Sequence, residues 1–169
     1  MLKKDTMKYY LPVVLFLLML IDGHLTRMFV EWSNGQYMAS AHFLILTLLF
    51  CSMKFPKRYL LITTVVLGAI FDTYYIGVIG IYAVALPLMV FIMYSMSSYI
   101  HFNIFTEFFS MIIFVTGYEL FTLAVQLIFK LVSVNNTYFI TRYLGPTLLL
   151  TMILFAVFVF PFKKLFSDE

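Results

Sequence analysis

The segment Val65–Tyr94 is a nearly continuous apolar run of membrane length that contains a single carboxylate, Asp72. A charged side chain at the centre of a bilayer costs roughly 2.5–3.5 kcal/mol on insertion scales. A chain keeps such a residue where it contacts protein, a wet cavity or the membrane rim. We therefore expect the surroundings of Asp72 to carry the function of the chain.

The composition of the whole chain predicts an integral membrane protein. Of its 169 residues, 63% are hydrophobic and only 11% are charged. A soluble domain could not bury this much apolar surface. Since a transmembrane helix needs about 20 residues, the chain has room for five or six helices and short loops. A large soluble catalytic or binding module does not fit beside them.

Several classes of function are disfavoured by what the sequence lacks. The formal net charge is +3, but the basic residues sit in loops and ends and form no continuous face for nucleic acid. Cys51 is the only cysteine, which excludes an internal disulfide and a multi-cysteine metal site. No nucleophile motif, phosphate-binding loop or zinc signature is present. We expect no enzyme activity, cofactor or metal.

Apolar runs separated by charged or turn residues predict an all-α protein. We expect one polytopic membrane domain over residues 1–169, folded as a compact bundle of six transmembrane helices. Five helices would result if the third and fourth did not both cross. Lysines precede the first run, as in a signal peptide, but no small-x-small cleavage site follows, so we expect a retained span. The predicted helices are approximately 9–29, 37–53, 59–76, 77–97, 106–131 and 139–160.

Lysine and arginine are divided unequally between the two sides that six spans define. Eight fall on the side of the N-terminus and three on the other. By the positive-inside rule, both termini are expected in the cytoplasm. Lys54, Lys57 and Arg58 form a basic loop on this side, which we expect to contact anionic lipid or a cytoplasmic partner. The three on the opposite side are Arg27, Lys130 and Arg142.

Gly68 and Asp72 are four residues apart and share one face of a helix. A glycine at this position would let a neighbouring helix come close, as small residues do in membrane packing. We expect Asp72 to anchor the turn that follows or to pair with a basic group such as Arg142 or Arg27. The alternative is a solvated carboxylate at the membrane rim.

Polar residues crowd the end of the first span, where Asp22 and Arg27 lie close in sequence to His24 and Glu31. A metal or proton-relay site here is weakly supported, because one helix supplies too few ligands. We interpret this group as a polar external end with an ion pair. Four polar residues of the chain are also candidates for polar contacts inside the membrane: Asp22, Glu119, Gln126 and Arg142.

The fifth span carries a stripe of polar residues at helical spacing. Such a stripe is expected to face other helices and not lipid. Contacts that hold the helices together are the favoured interpretation, and a substrate or ion path is the alternative. The stripe consists of Thr116, Glu119, Thr122 and Gln126.

The pattern GAIFD at Gly68–Asp72, a short turn with Gly77 and Gly80, and then an apolar helix with Tyr82 resemble the signature of the rod shape-determining protein MreD family. In that family these residues would shape a hairpin between two helices. The resemblance implies a non-catalytic component of the bacterial cytoplasmic membrane that helps to organise lateral peptidoglycan synthesis and cell shape. It also implies a fold similar to the six-helix substrate-binding subunits of energy-coupling-factor transporters.

The partners that the resemblance implies are a bitopic MreC-like protein, the MreB filament and RodA with its penicillin-binding-protein synthase. The mechanism we expect is scaffolding, with helices packed against the single span of a partner. The rival interpretation is a vitamin-like solute-binding subunit of a transporter. It predicts a ligand pocket lined by groups such as Asp72, Trp32 and Glu119.

Overall fold

The computed structural model describes residues 4–76, 80–96, 104–130 and 138–166. Every regular element in these ranges is helical, and two short stretches are π-helical. Gly77 lies outside the described residues. In chain order the elements are α1 (Lys4–Trp32), α2 (Phe43–Lys54), α3 (Lys57–Phe71) with a π-helical extension (Asp72–Ile76), α4 (Tyr82–Met96), α5 (Ile104–Ile128), and a π-helical segment (Phe139–Leu144) that leads into α6 (Gly145–Phe166).

Helices are the elements that these apolar runs favour, because an α-helix satisfies its backbone hydrogen bonds internally in a medium without water. Within the described ranges, three helices are long and apolar enough to cross a membrane: Lys8–Trp32, Ile104–Ile128 and Phe139–Pro161. The apolar helices Phe43–Lys54 and Tyr82–Met96 are shorter. The described part of the chain is thus all-helical, and its long apolar helices support a multi-pass membrane protein. The count of six spans stays a prediction.

Two helices begin later than the sequence predicts. The second begins at Phe43 and not near residue 37, because the chain before it bonds to another part of the molecule. The Ser40 amide donates to Thr147 Oγ1 at 3.1 Å. The fourth begins at Tyr82 and not at residue 77. Gly80, just before it, has a φ of +119°, which is incompatible with a right-handed helix.

Two hydroxyl groups join the helices at the end of the bundle where α1 begins. The Tyr59 hydroxyl at the start of α3 donates to the Lys8 carbonyl. The Tyr94 hydroxyl near the end of α4 donates to the Phe55 carbonyl, between α2 and α3. The start of α1, the α2–α3 junction and the end of α4 therefore lie together, at what we call the Lys8 end.

At the opposite end of the bundle, the segment that follows α1 contacts the π-helical segment before α6. The Met38 amide donates to the Arg142 carbonyl at 2.9 Å. Arg142 Nη1 in turn donates to the Gln36 carbonyl at 3.1 Å, and its guanidinium lies 5.2 Å from the Tyr37 ring centroid. We call this the Arg142 end. The segment between α1 and α2 is thus held against the π-helical segment before α6.

The shortest apolar helix lies at the centre of the bundle. In α2, the ten residues Phe43–Ser52 are all buried, and the core includes Leu48 and Leu49, which are fully inaccessible. By contrast, α1 exposes a row of apolar side chains that suits contact with lipid. The start of α2 is consequently surrounded by other helices. The candidate site lies around it.

Candidate functional site

Asp72 is fully buried and binds the start of the next helix. Its Oδ2 accepts hydrogen bonds from the amides of Gly80 at 2.8 Å and Ala83 at 3.0 Å, and its Oδ1 accepts one from Tyr82 at 2.9 Å. The first N–H groups of a helix have no partner within the helix, and their partial positive charge favours an anion. The carboxylate therefore fixes both the turn and the beginning of α4.

This geometry distinguishes between the roles considered for Asp72. Its bonds to the amides of Gly80 and Ala83 are those of an anchor for the following turn. Full burial excludes the solvated-rim alternative. Arg142, one of the proposed ionic partners, instead binds the Gln36 carbonyl.

Gly68 brings the backbones of α3 and α4 into direct contact. A Cβ atom added to Gly68 would lie 2.6 Å from the carbonyl carbon and oxygen of Tyr82 and from Ala83 Cα. Real Cβ atoms do not approach backbone this closely, so any side chain here must separate the helices. Small residues permit such approaches in membrane proteins. Gly68 and Asp72 thus act on the same two residues of α4.

Asp22 of α1 performs the same task for α2. Its Oδ1 accepts a hydrogen bond from the Phe43 amide at 3.0 Å, and its Oδ2 accepts one from the Leu44 amide at 2.9 Å. The Asp22 carboxylate therefore points inward to the start of α2 and makes a polar contact between two helices. In both cases, a carboxylate of one helical segment binds the first amides of the next helix.

A buried pair of ionisable side chains lies next to this cap. His42 Nε2 is 2.7 Å from Glu119 Oε1, and the two side chains are 9% and 3% exposed. The His42 ring also meets the Tyr118 ring edge-on, with centroids 5.4 Å apart. Hydrogen bonds of this kind are stronger away from water than at the surface. The pair links α2 to α5 in the interior of the bundle.

A cavity of about 260 Å³ opens beside the His42–Glu119 pair. A second cavity of about 240 Å³ adjoins it and shares Glu119, Thr122, Gln126 and Tyr143 with the first. Side chains that line the first cavity include Asp22, His42, Tyr82, Tyr118, Glu119 and Gln126. Arg142 lines the second.

The cavities thus bring together residues that the sequence indicated separately. Asp22, Glu119, Gln126 and Arg142, all predicted as intramembrane polar contacts, line one or both of them, and so does Tyr82 from the hairpin pattern. The rival interpretation predicts a solute pocket, and the structure brings only part of its predicted lining together. Glu119 lines the cavity, whereas Asp72 is sealed under α4 and Trp32 is 84% exposed.

Comparison with known proteins decides the family. The family model described as rod shape-determining protein MreD matches residues 3–168. The chain belongs to the MreD family. The cell shape-determining protein MreD of Streptococcus pneumoniae (strain ATCC BAA-255 / R6) is 28% identical over 145 residues, which cover 86% of this chain and 88% of that protein. No solved structure matches the chain.

Family membership supports a role in determining cell shape, and the helices agree with a multi-pass membrane protein. The hairpin pattern on which the resemblance rested is, in this member of the family, a packing and capping unit between α3 and α4. Among the described residues, no group of three or more His, Cys, Asp or Glu side chains is placed to hold a metal ion.

The basic residues predicted as a loop lie at the Lys8 end, where Lys54 ends α2 and Lys57 and Arg58 begin α3. The Lys57 ammonium is 3.8 Å from the centroid of the Phe91 ring, a cation–π contact that ties the loop to α4. The Arg58 side chain is exposed, and Lys54 is partly buried. Arg58 is therefore the residue of this loop that is best placed to meet lipid headgroups or another protein.

Sequence reasoning missed several buried polar residues of the described bundle. His42 carries no helical spacing signal, because its partner Glu119 is 77 residues away in the chain. Ser40 and Tyr143 lie within 3.1 Å across 103 residues. Glu107, which is 1% exposed in α5, was also not singled out. Pairings between distant helices leave no local pattern that a single sequence could reveal.

Proposed function

We propose that this chain is a non-catalytic membrane scaffold that organises lateral peptidoglycan synthesis through helix–helix contacts with a bitopic, MreC-like partner. RodA, penicillin-binding-protein synthases and the MreB filament are the further components of the proposed assembly. The observation that carries the proposal is the family match over residues 3–168. The bilayer surrounds the protein, with both termini proposed to be cytoplasmic.

The geometry of the hairpins supports a scaffold. Asp22 and Asp72 each use both carboxylate oxygens to hold backbone amides, and Gly68 packs against backbone. These groups are engaged in fixing helix positions and are not free to act on a substrate. A scaffold needs such fixed helices, because in lipid a partner's span gains affinity from close packing and a few hydrogen bonds.

Charge at the Lys8 end supports the proposed orientation. Lys54, Lys57 and Arg58 lie at the same end of the bundle as the start of α1. Basic residues at one end favour the cytoplasmic side, where anionic lipids attract them by about 1 kcal/mol for each residue near the surface. We propose that this loop contacts anionic lipid or a cytoplasmic component of the assembly.

Co-purification from native membranes tests the proposal. The tagged chain should recover a bitopic coiled-coil protein together with cell-wall synthases, identified by mass spectrometry. A Gly68→Leu variant should lose them, because a side chain there forces α3 and α4 apart. Gly117→Leu is the matched control, since a Cβ atom at Gly117 meets only Met89 Cε, at 4.0 Å. Recovery of transporter ATPases in place of these partners would contradict the scaffold.

A further inference from the structure

We propose that the single transmembrane helix of the bitopic partner docks on the outward face of α1 and presents a carboxylate to Arg27. This inference rests on the proposed function and names the face of the chain that makes the contact. Among the described ranges, α1 is the least covered of the three long apolar helices. In its most apolar stretch 11% of the residues are buried, against 39% in Ile104–Ile128 and 22% in Phe139–Pro161.

A row of side chains on this face has the spacing of a coiled coil. Its members alternate at intervals of four and three residues, the spacing at which two helices pack along their length. Leu11 and Leu15 are buried, whereas Val13 and Leu17 are 57% and 52% exposed. Two residues turn a helix by about 200°, so the row points away from the bundle. We call it the α1 seam, and it consists of Val13, Leu17, Leu20, His24, Arg27 and Glu31.

A groove of about 410 Å³ lies beside the α1 seam. Its described lining belongs to α1 and includes Leu20, Gly23, His24 and Arg27. A Cβ atom added to Gly23 would meet nothing within 4 Å, in contrast to Gly68, so packing within this chain does not require a glycine here. Glycine inside a helix is less favourable than alanine. A partner helix accounts for it, because small residues let helices approach closely in membranes.

Lipid tails suit only the first half of the α1 seam, whose three residues are apolar. In the second half, His24 and Arg27 are exposed on a span that runs to Trp32. His24 lies about 12 Å from Trp32 along the helix, at 1.5 Å per residue. Polar side chains within a membrane span are costly unless protein supplies their partners. The second half of the seam therefore favours a protein neighbour over lipid.

The charges of the α1 seam select the chemistry of that neighbour. Arg27 offers five N–H donors and no acceptor, and a carboxylate matches its planar group with two parallel hydrogen bonds. His24, three residues earlier on the same face, offers a further N–H donor. Glu31 lies four residues after Arg27, and ion pairs at this spacing within one helix are weak. An acidic side chain on the partner helix complements this arrangement.

A second copy of this chain fits the α1 seam poorly. Two copies share one orientation in the membrane, so their α1 helices would run parallel. In a parallel pair each seam residue faces its own equivalent. Arg27 would then face Arg27, and Glu31 would face Glu31, and like charges that face each other are unfavourable. The pattern accordingly favours a different chain.

Photo-crosslinking in native membranes tests the position. Benzoylphenylalanine is placed at Leu17 or, as the matched control, at Ile153, which is 61% exposed on α6. We expect a covalent adduct with a bitopic protein from Leu17 and none from Ile153. If the bitopic protein co-purifies without an adduct from Leu17, or with equal adducts from both positions, the docking face is refuted and the scaffold proposal stands. If no bitopic protein co-purifies, both proposals fail.

A side chain at Gly23 separates docking from folding. Gly23→Leu fills the groove while its Cβ meets nothing of this chain, so the thermal unfolding midpoint in detergent should be equal or higher. Recovery of the bitopic protein should fall at least tenfold. Ala156→Leu, at an exposed alanine of α6, is the matched control and should leave recovery unchanged. Normal recovery with Gly23→Leu would overturn the docking face.

Charge variants test the carboxylate of the partner. Arg27→Gln should reduce recovery about tenfold or more, because truncating one member of a charge pair away from water weakens binding strongly. Glu31→Gln should leave recovery equal or raise it, since it removes an acid from the seam. Both variants are checked for an unchanged thermal midpoint. Loss of recovery with Glu31→Gln alone, or unchanged recovery with Arg27→Gln, would refute the assigned chemistry.

Discussion

At the scale of single residues, two glycines within helices face different surroundings. Gly68→Ala places a methyl group 2.6 Å from the backbone of Tyr82 and Ala83. We expect it to destabilise the protein by about 1–3 kcal/mol, as overpacking does. Gly117→Ala meets only the end of Met89. It should be neutral or stabilising by up to about 1 kcal/mol, since alanine favours a helix.

Unfolding of both variants in the same detergent measures this contrast. Thermal midpoints followed by circular dichroism should fall for Gly68→Ala and stay equal or rise for Gly117→Ala. A Gly68→Ala protein as stable as the wild type would show that α3 and α4 are not in backbone contact at this position.

The second residue of the hairpin acts through hydrogen bonds. Asp72→Ala leaves the amides of Gly80, Tyr82 and Ala83 without their acceptor. We expect a loss of at least about 1–3 kcal/mol, the cost of one buried polar group left unsatisfied. The free energy of unfolding in detergent measures it. Glu31→Ala, which removes an exposed acid, should change it little; equal effects of the two would contradict the capping role.

At the scale of elements, α3 and α4 form one cooperative unit. Gly68 and Asp72 both act on Tyr82 and Ala83, so their effects on stability should not be additive. The double variant Gly68→Ala/Asp72→Ala should lose less stability than the two single losses combined. Asp22→Ala breaks the separate cap of α2, and its loss should add to that of either hairpin variant. Strict additivity of the first pair would contradict the shared contact.

The sequence was sufficient to predict some structural elements and insufficient to predict others. Apolar runs predicted the helices, and the spacing of Gly68 and Asp72 predicted the close approach and the anchored turn. Residues 37–42 were predicted as helix, but Ser40 bonds to Thr147, more than a hundred residues away. Hydropathy cannot reveal such an interaction, because an extended apolar segment and a helical one have the same composition.

The candidate cavity was the least predictable feature. Asp22 lies in α1, His42 directly precedes α2 and Glu119 lies in α5, and only the packing of the bundle brings them together. The polar stripe that includes Glu119 correctly indicated a face toward other helices, since Glu119 and Thr122 are both buried. The spacing within α5 could not predict that Glu119 would contact His42, which is 77 residues away in the chain.

At the scale of the whole molecule, the two ends of the bundle should lie on opposite sides of the membrane. Arg58 lies at the Lys8 end, and Gln36 lies at the Arg142 end; both are exposed. A membrane-impermeant maleimide on intact cells should label Gln36→Cys and not Arg58→Cys. Cys51 is fully buried, so it should contribute little background. Both positions should react after permeabilisation, and labelling of Arg58→Cys alone would reverse the proposed orientation.

The scaffold proposal links the α3–α4 hairpin to the shape of the cell. The most direct measurement is cell width and length, with recovery of the bitopic partner, in strains whose only copy is wild type, Gly68→Leu or Gly117→Leu. We predict that Gly68→Leu reaches the membrane but loses both the partner and the normal shape, while Gly117→Leu keeps both. Normal shape without the partner, or lost shape with the complex intact, would contradict the account.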